Sequence, residues 1–151
     1  MAWLRLPSWL RTAAPMVLMA VLWWTSAQPR GTGGSSFLAG FLHNGAHVIA
    51  YGALSGAWWA SWRPGRRQSG WVATMSVVLA ACYGVVDEIH QCFVPGRTAS
   101  AADLLSDIAG AWTMVLVLQW RVLGLAVARA RLPYAMLACA GAVLLATLGP
   151  W

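Results

Sequence analysis

The sequence predicts an all-α protein, a polytopic transmembrane helical bundle of four to five spans with its N-terminus on the cytoplasmic side. Three observations predict it. The 151 residues are 60% hydrophobic and only 9% charged, with mean hydropathy +0.62, whereas a soluble domain carries about 25% charged residues. Apolar runs near the roughly 18 to 20 residues needed to cross hydrocarbon recur along the chain. The arginines alternate between the segments that join those runs. A single membrane domain over residues 1–151 fits this length, placed in the cell membrane with the lipid bilayer as its surroundings. No feature specifies an oligomeric state.

The apolar runs place helices at about 12–27, 41–62, 71–92, 103–120 and 133–149. The first also resembles a signal peptide, since Arg5 and Arg11 precede a short apolar core and Thr25-Ser26-Ala27 is similar to a small-residue cleavage site. Retention is favoured, because Trp23 and Trp24 suit an interfacial anchor. The segment at about 28–40, rich in Gly and Ser, reads as a flexible connection. The last helix is the weakest, because Gly141 and the flanking Pro133 and Pro150 lower helix propensity. Trp3, Trp9, Trp58, Trp59, Trp62 and Trp71 read as interfacial belts.

Orientation follows from the ten cations, all of them Arg. Arg5, Arg11, Arg63, Arg66, Arg67, Arg121, Arg129 and Arg131 fall before helix 1, between helices 2 and 3 and between helices 4 and 5, while the alternate loops hold only Arg30 and Arg97. The positive-inside rule then puts the N-terminus in the cytoplasm and the segments at about 28–40 and 93–100 outside. The net charge of +6 therefore reads as membrane flanks and does not imply nucleic acid, because the arginines do not line one face. Cys82, Cys92 and Cys139 have no CxxC spacing and read as packing residues, with neither a zinc site nor a disulfide framework.

The chain has four acids, Asp87, Glu88, Asp103 and Asp107, and three histidines, His43, His47 and His90. The orientation assigns all seven to outer helix ends. His43, His47 and Tyr51 repeat at i, i+4, i+8, Asp87 meets His90 and Gln91 at i+3 and i+4, and Asp103 meets Asp107 at i+4, so each set lines one face. Asp107 lies about 6 Å deeper than Asp103 at the helical rise, where a carboxylate costs roughly 2.5 to 3.5 kcal/mol and marks a pathway, a site or a pairing. Asp87 and Glu88 are adjacent carboxylates whose mutual repulsion is of the kind found at sites. Plainer roles compete. Ser100-Ala-Ala-Asp103 is similar to a capping box, which by itself explains Asp103 about as well as chemistry does. His43 and His90 fit interfacial polar residues, and Tyr51 fits a hydrogen bond within the bundle.

The stretch from Tyr83 to Gly110 resembles the VanZ-like family of membrane proteins, named after a teicoplanin-resistance protein. The resemblance rests on Asp87-Glu88-x-x-Gln91, Pro95-x-Arg97, Asp103 and Gly110, preceded by His47-x-x-x-Tyr51, and covers about residues 42–115. Two positions depart from the family pattern: Asn44 stands where the family usually has Lys, and Asp107 where it usually has Asn. The resemblance implies a multi-pass membrane protein, linked through the family's founding member to glycopeptide susceptibility, and it names no substrate.

Two readings of function follow. In the first, an enzyme acts on a lipid-linked or cell-envelope substrate at the outer leaflet. His47, Asp87, Glu88 and Asp103 are its catalytic candidates. Arg97 binds phosphate or carboxylate from a turn set by Pro95 and Gly96, and Tyr51, Gln91 and Asp107 line the substrate site. In the second, the same cluster binds or shields an envelope lipid or glycopeptide without turnover, with Arg97 paired to Asp87, Glu88 or Asp103. A metal site of His43, His47 and His90 with carboxylates is the weakest option, since the Glu of H-E-x-x-H is absent and His43 and His90 lie outside the family pattern. The expectation is therefore no metal and no cofactor.

Overall fold

A computed structural model describes residues 7–29, 36–62 and 69–148. These form five helices, α1 Ser8–Ser26, α2 Phe37–Ser61, α3 Ser69–Gln91, α4 Ala101–Leu123 and α5 Ala126–Leu148, and no strand among the described residues. Trp3, Arg5, Arg30, Arg63, Arg66, Arg67 and Pro150 lie outside the described residues.

Local chemistry sets the ends. Ser36 caps α2 by accepting the Ala39 N–H at 3.3 Å, and Ser100 caps α4 by accepting the Asp103 N–H at 3.1 Å, each satisfying a donor that the first turn leaves unpaired. Gly124 ends α4 in the left-handed region at φ 66°, its N–H returning to Trp120 and that of Leu125 to Gln119, a closure that favours glycine. Helix α5 then starts at Ala126 and runs through Pro133. The sequence expectation began this helix at the proline. In an apolar bundle the turn before a proline is held by packing, and Ala128 and Ala135 are both buried against Leu116 of α4.

Helices α3, α4 and α5 are long and apolar enough to cross a membrane. The sequence expectation counted four or five such helices. The difference lies in α1, which holds Arg11, and α2, which holds His43, Asn44 and His47.

Helix α2 packs most extensively on α4, which also carries α5 and α3, while α1 covers α2 and α3. The α2–α4 crossing is close because Gly110 has no side chain: a Cβ there would overlap the backbone carbonyl of Val48. Gly52 faces the same seam, its would-be Cβ 3.2 Å from the Gly110 carbonyl oxygen, and Ser55 Oγ donates to the Ala111 carbonyl at 2.9 Å. Small residues of this kind let apolar helices approach through their backbones. The core around the seam contains Tyr51, Leu54, Ala80, Tyr83 and Ala111. Toward the other end Trp59 is buried with Val72 and Val115, which makes it a core residue and not part of an interfacial belt. Cys82 and Cys92 are exposed, so they are not the packing residues expected; Cys139 lies 3.2 Å from Thr113 Oγ1 between α5 and α4.

Candidate functional site

The Val48–Gly110 contact brings the upper half of α2 against the first turns of α4. His47 precedes Val48 and Asp107 lies one turn before Gly110, so the two side chains meet: His47 Nδ1 is 2.9 Å from Asp107 Oδ1. Asp107 is 1% exposed and the His47 side chain 11%. The other carboxylate oxygen, Asp107 Oδ2, lies 3.1 Å from where a Cβ on Gly84 of α3 would sit. Glycine at position 84 is therefore what lets α3 pack over the carboxylate. The His47 ring stacks parallel to that of Tyr51 one turn deeper, with centroids 6.1 Å apart and an interplanar angle of 5°.

A second group is built on the end of α3. Asp87 Oδ2 accepts from the Tyr51 hydroxyl at 3.3 Å and from Gln91 Nε2 at 3.2 Å, and Gln91 Oε1 accepts in turn from Arg97 Nη1 at 3.3 Å. Asp87 and Gln91 sit at i, i+4, the spacing that suggested a shared face. Arg97 follows a tight turn closed by its own N–H on the Val94 carbonyl, with Gly96 at φ 76°, the third-position glycine that a turn of this type requires after Pro95. Its guanidinium also donates to the backbone carbonyls of Gln28 at 3.0 Å and Thr25 at 3.2 Å. Arg97 thus holds the C-terminal end of α1, where unpaired carbonyls and the helix dipole favour a cation.

Glu88 faces α4. Its Oε2 accepts the backbone N–H of Ser100 at 2.6 Å. In a capping box that N–H is served by the side chain three residues into the helix, here Asp103. Glu88 takes over the bond from a neighbouring helix, so Ser100 and Asp103 form only half of the expected box. Asp103 is 8% exposed. His43, His47 and Asp103 each offer one ligand atom, and these atoms all lie within 4.8 Å of one another. The rings of His43 and His47 are 4.9 Å apart, edge to face.

A cavity of about 370 Å³ opens beside these groups, with His43, His47, Tyr51, Asp87, Gln91 and Arg97 among its lining residues. Leu22, Thr25 and Ser26 of α1 form another part of its wall. Of the residues expected in a site, His47, Tyr51, Asp87, Gln91 and Arg97 therefore share one cavity, while Glu88, Asp103 and Asp107 stand behind it on the α4 side. Asp87 Oδ1, Glu88 Oε1 and Asp107 Oδ2 are buried without a hydrogen-bond partner among the described residues. Buried carboxylate oxygens in that state are costly, and such groups concentrate where a ligand or ion is handled.

The histidines expected to be bystanders separate. His43 lines the cavity and joins the His47–Asp103 group. His90 turns to α1 instead, its ring stacked on Trp23 at 3.8 Å and its Nδ1 3.4 Å from Ser26 Oγ. Asn44 is buried and donates to Thr147 Oγ1 of α5 at 3.1 Å. The contribution of α1 to the cavity is not visible in the sequence, where Thr25 and Ser26 read as a small-residue segment and no titratable side chain of α1 stands beside them. The only hint is their position at the end of an apolar run on the side where the acids gather.

A family model described as VanZ/LLP1 matches residues 12–123, from within α1 to the last residue of α4. No curated protein and no solved structure matches the chain.

Proposed function

We propose, since this chain belongs to the VanZ/LLP1 family, that it is a multi-pass protein of the bacterial cytoplasmic membrane that acts on a lipid-linked or cell-envelope substrate at the outer face. The observation that carries the reading is the cavity of about 370 Å³ in which His47, Tyr51, Asp87, Gln91 and Arg97 meet apolar residues of α1 and α2. A wall of that mixed kind suits a molecule with a polar head and an apolar tail. The alternation of Arg segments supports an outer position for it.

In this reading His47 is the acid/base group. Its Nδ1 is held by Asp107, which leaves Nε2 as the nitrogen that exchanges a proton. Asp87 is the second proton-handling group, since it borders the cavity and keeps one oxygen without a hydrogen-bond partner. Gln91 and Tyr51 fix the Asp87 carboxylate, and Arg97 presents a guanidinium to an oxyanion of the substrate. Altered glycopeptide susceptibility follows from this reading when the substrate is an envelope precursor that the glycopeptide recognises.

The test is turnover by the purified protein in detergent micelles containing lipid-linked envelope precursors or common phospholipids. Product that forms with the native protein and not with a folded His47→Ala variant supports the reading. Unchanged substrates in the presence of folded native protein overturn it.

A second reading, binding without turnover, is favoured by one observation: Glu88 and Arg97 spend hydrogen bonds on the Ser100 N–H and on the carbonyls of α1, as parts of a structural network do. Asp87→Asn separates the two readings, because it keeps the shape of the site and removes its proton chemistry. Loss of phenotype with ligand binding intact favours turnover; retention of both favours binding alone.

A further inference from the structure

We infer that His43, His47 and Asp103 form a binding site for a divalent transition-metal ion of the zinc class, with Asp107 as the positioning residue that orients His47. The inference deepens the proposed function by naming a cofactor for the same site, and it rests on that reading only for what the ion does.

The donor set comes first. Two imidazoles and one carboxylate, with ligand atoms within 4.8 Å of one another, match the ligand types of three-ligand catalytic zinc and of other first-row metals. The pairs stand at i, i+4 on two facing helices, His43 with His47 on α2 and Asp103 with Asp107 on α4. Metal sites in helical bundles are built from side chains placed this way. The Val48–Gly110 backbone contact fixes the separation of the two helices beside the group, so the ligands are held before an ion arrives.

Two further observations point to an ion and not to a mere polar cluster. Asp103 occupies the position whose side chain would close the capping box of α4, yet the Ser100 N–H is already taken by Glu88 at 2.6 Å, which releases the Asp103 carboxylate toward the histidines. His47 Nδ1 is 2.9 Å from Asp107 Oδ1, the carboxylate–histidine arrangement that sets the tautomer of a metal-bound imidazole and leaves Nε2 for the metal. Asp107 is 1% exposed and its Oδ2 has no hydrogen-bond partner among the described residues.

Charge supports the same conclusion. All four acids of the chain are buried at one end of the bundle. Among the described residues Arg97 is the one arginine at that level, against four carboxylates. A divalent ion between α2 and α4 offsets the excess negative charge. Because His43 and His47 border the cavity, an ion held there keeps a coordination position open to it, as catalytic sites do and structural sites do not. Bound there, the ion supplies Lewis-acid polarisation of a phosphoryl or carbonyl oxygen. With Nε2 of His47 taken as a ligand, the acid/base role assigned to His47 passes to Asp87, the second proton-handling group at the cavity, and His47 keeps its place at the centre of the site.

The test is zinc content of the full chain, purified in detergent without a histidine tag from zinc-supplemented cells and dialysed against metal-free buffer. About one zinc per chain is expected. His43→Ala and Asp103→Asn should each lower it at least about tenfold, and Asp107→Asn should weaken zinc affinity roughly 10- to 100-fold. Cobalt added to the native protein should give visible absorption bands that are missing in His43→Ala. Size exclusion and thermal unfolding verify each variant, and His43→Gln, which keeps the bulk but no imidazole, replaces His43→Ala if that variant does not fold. Native protein with less than about one-tenth of an equivalent of zinc overturns the inference. So does a folded His43 variant with native zinc content. Metal content is read without substrate: zinc bound by an inert protein leaves the site standing and sinks the turnover, whereas turnover by a zinc-free protein does the reverse.

Discussion

His47 Nδ1 and Asp107 Oδ1 lie 2.9 Å apart across the α2–α4 seam, and neither helix could bring them together without the glycine at position 110. The histidine belongs to a repeating i, i+4, i+8 face of α2, and the aspartate is the deepest acid of α4. Their meeting turns two side chains that are costly in an apolar bundle into one oriented pair.

Asp107→Asn tests whether the pair serves chemistry or packing. The amide fills the same space and removes the charge of an acid whose Oδ2 has no hydrogen-bond partner among the described residues. Thermal stability should therefore hold or rise, while turnover falls by roughly 10²-fold or more, the scale of a lost acid/base contribution. Initial rates beside unfolding curves check this. Unchanged rate with lowered stability would assign the pair to structure.

Gly110→Ala should separate α2 from α4. The added Cβ meets backbone at Val48, which cannot rotate away, so the cost should reach or exceed the roughly 1 to 3 kcal/mol of overpacking. Gly52→Ala, where the nearest atom is 3.2 Å from the new Cβ, should cost less. Thermal or denaturant unfolding in detergent orders the two variants, and the reverse order would contradict the close seam.

Glu88→Ala leaves the buried Ser100 N–H without its acceptor, a loss of about 1 to 3 kcal/mol. Glu88→Gln retains a carbonyl oxygen to accept that N–H and should recover most of the stability. Equal destabilisation by the two variants would mean that the charge of Glu88, and not its cap, is what the fold uses.

Much of this was legible in the sequence, and the limits have physical causes. Helices α2, α3 and α4 announce themselves by apolar runs, and the i, i+4 pairs follow from helical periodicity alone. Ser100 and Asp103 were legible as a cap, because capping is local. Glu88 closing that cap was not, since the bond joins residues twelve apart across two helices. Nor was the share of α1 in the cavity, which depends on Arg97 reaching the carbonyls of Thr25 and Gln28. The start of α5 before Pro133 was missed because proline penalties measured in water overstate its effect in a packed apolar bundle.

Cys92 offers a check of orientation with no substitution. It is exposed at the end of α3, beside Phe93 at 81% exposure, on the side assigned to the outside. A membrane-impermeant maleimide should label Cys92 in intact spheroplasts, while Cys82, in the middle of an apolar helix, stays unlabelled. Labelling of Cys92 only after permeabilisation would invert the orientation and move the cavity to the cytoplasmic side.

The most direct measurement is a lipid and envelope-precursor profile of cells that carry the gene, lack it, or carry His47→Ala at equal protein abundance. One species should accumulate in the deletion and to the same extent in the His47→Ala strain, because the substrate reaches a site that has lost its central imidazole. A His47→Ala profile identical to that of the native strain would contradict a site organised around His47.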